Sequence, residues 1–122
     1  MTELDNPRPR TWSWHSPTLR VVVSAHRNGA SLRYNVRLVG ELDLASVGSL
    51  TDALAALRDA QPELVVIDLS ELQFVDARGL GALVEADRDL RAGGGSLVLA
   101  RPDPHVRRVL TLTAVDTQIE VR

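Results

Sequence analysis

The side chains best placed for chemistry lie in one short stretch, Phe74 to Leu80, where an apolar strand ends and a helix begins. Asp76 occupies the predicted N-cap of that helix, where a carboxylate can accept a hydrogen bond from the first-turn amides. Exposed amides and the helix dipole favour negative charge at such a terminus, so α/β domains often place function there. The same pattern fits a purely structural interpretation, in which Asp76 is only a cap and Gly79 only a small packing residue.

Other residues give no sign of catalysis. The three histidines, His15, His26 and His105, lack the spacing of metal ligands. The chain has no Cys, and all 14 of its basic residues are Arg, which excludes thiolate and lysine chemistry. Asp68 and Asp76 flank one predicted strand end as an acid pair would, but no Lys completes a phosphoryl-transfer site. We therefore predict that the protein is not an enzyme and needs no cofactor or metal.

Composition narrows the class of protein further. A chain of 122 residues fits one domain. The net charge of −2 and the absence of like-charged blocks argue against direct binding of nucleic acid or anionic membrane. No apolar run approaches the roughly 20 residues of a membrane span, and the N-terminus lacks a signal-peptide core. These features predict a soluble, cytoplasmic protein.

Residues 1–18 are predicted to be an N-terminal tail, because Pro7 and Pro9 disfavour regular structure. Trp12 and Trp14 alternate around one serine, so this piece could form an extra edge strand with both rings on one face. The rings could instead dock in a groove of the same domain or of a second copy, which would make a homodimer.

The rest of the chain, residues 19–122, alternates between strand and helix signals. The predicted strands are 19–25 and 32–39, joined as a hairpin at Asn28-Gly29, then 64–69, 96–100 and 117–121. The predicted helices run from about Ser46 to Ala60 with Ser46 as cap, from Asp76 to the Gly93–Gly95 run, and onward from the cap Asp103. A hairpin followed by strand–helix–strand units predicts an α/β fold with a mixed sheet of about five strands and three helices.

Several motifs, in this order, resemble the STAS domain, and the bacterial anti-sigma-factor antagonists in particular. They are Val39–Ala45 (VGELDLA), Val65–Ser70 (VVIDLS), Phe74–Leu80 (FVDARGL), Gly94–Leu99 and Pro104–Leu110. The resemblance covers about residues 19–122 and implies a mixed sheet with helices packed mainly on one face.

The resemblance also implies a function. Members of this group bind an anti-sigma factor that is an ATP-dependent kinase of ATPase fold, which releases the sigma factor. The kinase phosphorylates a Ser directly after the capping Asp, and the added charge blocks docking. The residues that the resemblance marks for partner binding are Glu41, Asp43, Ser46, Asp76, Ala77, Arg78, Gly79 and Leu80.

This chain departs from the family pattern at the switch. The acceptor position carries Ala77 and the next position Arg78, so neither has a hydroxyl to phosphorylate. Arg78 either pairs with an acidic group of a partner or a bound phosphate, or projects into water. Ser46, Ser49 and Ser70 are conceivable replacement acceptors, although nothing in their setting singles them out.

Three functions remain open at this stage. The first is an antagonist without the usual phosphoswitch, docking through the Asp43–Ser46 loop and the 76–80 turn. The second is a scaffold that oligomerises through a sheet edge or through Trp12 and Trp14. The third is a sensor that binds phosphate or nucleotide at the amides of residues 77–80.

Overall fold

A computed structural model describes residues 11–122. It contains one six-stranded sheet and three α-helices. The strands are β1 (Thr11–His15), β2 (Leu19–Asn28), β3 (Ser31–Leu42), β4 (Leu64–Val75), β5 (Ser96–Ala100) and β6 (Glu120–Val121), and the helices are α1 (Val47–Arg58), α2 (Ala77–Ala92) and α3 (Pro104–Leu112). The predicted mixed α/β fold is confirmed, with six strands where about five were expected.

Strand order in the sheet follows the order along the chain. β1, β2 and β3 are antiparallel neighbours, whereas β3 to β6 are parallel and each parallel pair is joined through a helix. Right-handed crossovers that all advance in one direction place their helices on one side of a sheet. Leu50, Leu83 and Leu110, one from each helix, accordingly share a single core cluster.

Alternation along the strands separates the two faces. Val21, Val36 and Ile67 point to the helices and are completely buried in the core cluster, whereas Val66 and Val98 point to the opposite face and lie outside that cluster. We call the helix-free side the open face. The helices therefore cover only one face, as predicted.

β1 lies within the stretch that the sequence assigned to the tail. Trp12 pairs with Val23 and Trp14 with Val21, so both indole rings point to the helix side of the sheet. The Trp12 ring meets the Tyr34 ring edge to face, with centroids 6.3 Å apart. Of the alternatives for this segment, the extra edge strand is the one that forms. Residues 1–10 lie outside the described residues, and the domain boundary at residue 18 stays a prediction.

The last predicted strand, 117–121, is wrong over most of its length. Val115–Thr117 is a 3₁₀ turn, and β6 contains only Glu120 and Val121. The amides of Gln118 and Ile119 both donate to the Val115 carbonyl, which keeps them out of the sheet. Ile119 is nevertheless fully buried in the core, so the alternation that suggested a strand reflects a packed turn.

β4 is also longer than the predicted strand 64–69, and it contains a bulge. Arg37 pairs with Asp68 but Val39 with Glu71, so β4 contributes an extra residue there. The Asp68 carboxylate accepts a hydrogen bond from the Ser70 amide at 2.9 Å, within this bulge. Asp68 and Asp76 therefore do not flank one strand end, because Asp68 lies inside β4 and Asp76 follows its last residue.

The Asp68 carboxylate in this bulge makes the stability of the fold depend on pH. Burial raises the pKa of Asp68, but hydrogen bonds from Ser70 and Arg101 and the charge of Arg101 outweigh it and leave the pKa below its ordinary value. A carboxyl with a lowered folded-state pKa stabilises the fold above its unfolded pKa, and this stabilisation is lost as the pH falls through the folded value. We expect urea unfolding to show wild type more stable than Asp68→Asn at neutral pH, with the difference shrinking below about pH 4. A difference that stays constant with pH would contradict this assignment.

Candidate partner-binding site

The candidate residues converge where β3 and β4 end and the helices α1 and α2 begin. The parallel strands β3 and β4 run in the same direction, so their C-terminal ends share one edge of the sheet. The short loop 43–46 leads from β3 to α1, and Asp76 alone connects β4 to α2. This edge brings together two segments that are about thirty residues apart in sequence.

Asp76 joins these two segments through both carboxylate oxygens. Its Oδ1 accepts from the Gly79 amide at 3.0 Å, which confirms the predicted N-cap. Its Oδ2 accepts from the Leu44 amide at 3.2 Å, and its own amide donates to the Leu42 carbonyl at 3.1 Å. The cap of α2 therefore also positions the β3–α1 loop.

Ser46 is the N-cap residue of α1, as predicted, but its side chain accepts no hydrogen bond from the first helical turn. Its hydroxyl donates to the Glu41 carbonyl at 2.8 Å and accepts from the Asp43 amide at 2.9 Å. Asp43 in turn accepts from the Ser46 amide at 3.1 Å. Ser46 is 0% exposed, so its hydrogen bonds stabilise the loop from the buried side.

Gly79 and Leu80 are also buried beneath the surface. A Cβ on Gly79 would lie 2.7 Å from Leu42 Cγ, 2.9 Å from the Leu42 carbonyl oxygen and 2.9 Å from Val75 Cγ2. α2 thus approaches the ends of β3 and β4 too closely for any side chain at this position. The small-packing interpretation of Gly79 is the one that the geometry supports.

Gly40 shapes the other half of the edge. Its φ of +116° lies in a region that favours glycine, and a Cβ there would sit 2.1 Å from the Thr18 carbonyl oxygen. The same carbonyl accepts from the Glu41 amide at 2.8 Å. This close approach holds the end of β3 against the start of β2. It therefore determines the direction in which the chain enters the loop.

The surface of this edge carries two apolar side chains that sequence reasoning missed. Leu44 is 64% exposed and Phe74 is 41% exposed. Glu41 and Phe74 are register partners, and both point away from the core because Leu42 and Val75, next along each strand, point into it. Leu44 belongs to the motif VGELDLA and Phe74 to the motif FVDARGL, but the apolar character of both side chains suggested that they would be buried.

Together with Ala77 and Arg78, these residues form the accessible part of the site. We call Glu41, Leu44, Phe74, Ala77 and Arg78, all exposed, the docking face. Among residues 11–122, no carboxylate forms an ion pair with Arg78. The docking face therefore combines an apolar pair with one negative and one positive side chain.

The described residues contain no group of three or more acidic or histidine side chains arranged to hold a metal ion. None of the helices in that part of the chain has the length and apolar character to cross a membrane.

The bridge made by Asp76 predicts a specific loss. Asp76→Ala removes both carboxylate contacts and should lower the free energy of unfolding by about 1–2 kcal/mol. Amide hydrogen exchange should also accelerate at Leu44, which would lose its acceptor.

Asp103→Ala is the matched control, because Asp103 caps α3 through the Val106 amide at 2.8 Å but has no link to the loop. It should cost similar stability without changing exchange at Leu44. Equal exchange at Leu44 in the two variants would refute the bridging role.

Comparison with known proteins assigns the chain to a protein family. A sequence model of the STAS domain matches residues 23–122. The chain belongs to the STAS domain family, as its motifs predicted. The match begins within β2, so β1 precedes the part that the family model covers.

Several of the matched proteins are described as anti-sigma factor antagonists. The chain is 30% identical over 81 residues to the anti-sigma F factor antagonist of Lysinibacillus sphaericus, covering 66% of this chain and 69% of that protein. It is 27% identical over 88 residues to the anti-sigma-B factor antagonist of Listeria monocytogenes, covering 72% and 77%. The crystal structure of an anti-sigma factor antagonist from Mycobacterium paratuberculosis matches with a TM-score of 0.70 at 25% identity, covering 83% of this chain and 84% of that one.

Proposed function

We propose that this protein is a cytoplasmic, non-catalytic antagonist that binds an anti-sigma factor with a kinase-type ATPase fold and thereby releases a sigma factor. The observation that carries the proposal is the docking face, where Leu44 and Phe74 are exposed beside the capping Asp76. Large apolar side chains at the centre of an exposed patch are typical anchors of protein interfaces. The names of the relatives support the choice of partner.

We further propose that phosphorylation does not switch this face off. Ala77 and Arg78 are exposed but carry no hydroxyl. Ser46, the nearest serine in the loop, is buried and its hydroxyl is engaged with Glu41. A phosphate would bring a charge of about −2 to the helix terminus in a relative that has Ser at this position. The docking face of this chain keeps a constant charge, so we expect constitutive antagonism.

Arg78 supplies the electrostatic part of the proposed interface. A positive side chain at a helix N-terminus costs a few tenths of a kcal/mol in isolation, and the described residues offer it no carboxylate. A guanidinium in this setting suits a bidentate contact to a carboxylate of a partner. Arg78 therefore selects for an acidic group on the anti-sigma factor.

Restoring the missing hydroxyl tests both parts of the proposal. Wild type incubated with the organism's anti-sigma kinases and ATP should bind one of them and show no gain in intact mass. Ala77→Ser should bind the same kinase, gain one phosphate and then dissociate, because the new dianion lies in the interface. Ala45→Ser is the matched control, since Ala45 is exposed in the adjacent loop but does not follow the capping Asp.

The outcomes separate the two parts. A phosphate on wild type would overturn constitutive antagonism and direct the search to Ser49 or Ser70. Binding without phosphorylation of Ala77→Ser would contradict a kinase-type partner. No binding to any anti-sigma factor would overturn the antagonist itself.

One observation favours a second candidate, an assembly subunit. Within residues 11–122, β1 is an edge strand that pairs only with β2, and Trp12 on it is 38% exposed. An unpaired strand edge with an adjacent aromatic ring can pair with a second copy. A mass that rises with protein concentration, and that Trp12→Ala returns to the monomer, would identify a homodimer.

A further inference from the structure

The open face of the sheet also holds a hollow whose lining shares no residue with the docking face. Its volume is about 550 Å³, within the range of small-molecule sites. Val22 and Val66 supply apolar surface, and Val66 is only 9% exposed although it lies outside the core cluster. The hollow exists because all three helices cover the other face.

Positive charge is concentrated around this hollow. Among the described lining residues, Arg33, Arg37 and Arg101 are cationic and Asp68 alone is anionic. With Glu71 beside Arg37 included, three cations face two carboxylates, so one positive charge remains here in a chain whose net charge is −2. Guanidinium groups that converge on a concave surface attract anions and raise their local concentration.

The guanidinium groups are held in place by neighbouring side chains. Arg101 pairs with Asp68, which is itself held by the Ser70 amide. Arg33 donates from Nε to Asn35 at 3.1 Å, and Arg37 lies 3.7 Å from Glu71. A guanidinium has five N–H donors, so each of these contacts leaves donors for a ligand.

The backbone at Arg101 adds an independent observation. Its φ of +56° is unusual for a residue other than glycine, and Gln61 and Ala114, which share this feature, lie outside the hollow. The Arg101 amide donates to the Arg122 carbonyl at 2.9 Å, which holds this conformation next to β6. The strained residue is one that lines the hollow.

We propose that the hollow is a binding site for a small organic dianion, whose carboxylate or phosphate groups contact Arg33, Arg37 and Arg101. The valine side chains contact its carbon skeleton. Arg binds both kinds of anion through paired N–H···O hydrogen bonds, which a lone ammonium group does not provide. This site is independent of the anti-sigma factor and of the docking face.

Titration of the 122-residue chain with citrate and with glycerol 3-phosphate tests the proposal and distinguishes the two anion types. Backbone amide shifts should change saturably for residues 33–37, 66–68 and 100–101 with at least one probe. The double variant Arg33→Gln, Arg37→Gln should weaken that binding about tenfold or more. Arg88→Gln, exposed on α2 on the other side of the sheet, should leave it unchanged.

Several results would overturn the site. The site would be refuted if sodium chloride at matched ionic strength reproduced the shifts. It would also be refuted if the shifts were confined to residues 77–80 at the α2 terminus. Binding of a polyglutamate peptide but of neither small probe would assign the face to a protein partner instead. Self-association that the double variant abolishes would assign it to a second copy.

Discussion

Truncation of both apolar residues of the docking face, Leu44→Ala with Phe74→Ala, is expected to weaken binding to the anti-sigma factor about a hundredfold. Each side chain is large and exposed in the unbound chain, so its burial by a partner removes apolar surface from water. Because neither belongs to the core cluster, the free energy of unfolding should change little. Calorimetric titration together with urea unfolding measures both quantities.

Leu112→Ala provides the control for surface apolarity. Leu112 is 73% exposed at the last residue of α3, whereas the docking face lies where α1 and α2 begin. Truncating it removes a comparable side chain outside the proposed interface and should leave the affinity unchanged. An equal loss in this variant, or no loss in the double variant, would refute the docking face.

Gly79→Ala is expected to destabilise the fold by about 3 kcal/mol, at the upper end of typical overpacking. The new methyl group would lie within 3.0 Å of the Leu42 carbonyl oxygen, and of side-chain carbons of Leu42 and Val75. These contacts are buried at the strand ends, so relief requires α2 to move away from the sheet. Thermal and urea unfolding both report this loss.

Gly81→Ala is the matched control, two residues further along the same helix. A Cβ on Gly81 meets no atom within 4 Å, and the residue is exposed. Replacing glycine by alanine in an open helical position should therefore raise stability by about 0.5–1 kcal/mol. Opposite signs for the two substitutions would identify packing, rather than helix propensity, as the role of Gly79. A small effect at Gly79 would show that α2 adapts easily.

Local patterns predicted the features that local chemistry decides. Asp76 and Asp103 each cap a helix through an amide three residues away, so a short sequence contains the entire interaction. The hairpin of β2 and β3 is likewise set by alternation and by a turn at Gly29.

Tertiary contacts decided the features that sequence could not predict. Ser46 has the residue type of a cap, but the loop folds back and its hydroxyl reaches Glu41 instead. Leu44 and Phe74 are apolar, and both are exposed at the edge where two segments distant in sequence come together. The local sequence does not contain that arrangement. Residues 117–119 alternate like a strand, although a turn buries Ile119 without sheet pairing.

The sequential order of the strands has a consequence for synthesis. In the part of the chain that the structure describes, every strand from β2 to β6 pairs with the strand that precedes it, and no strand is inserted between two earlier ones. Each newly made strand can therefore join the growing edge of the sheet as soon as it leaves the ribosome. The transiently exposed edge moves from β2 to β5 as translation proceeds, and α1 packs over β1 and β2, which are already made when it is synthesised. This topology leaves one growing strand edge open to misplaced pairing at each stage of synthesis.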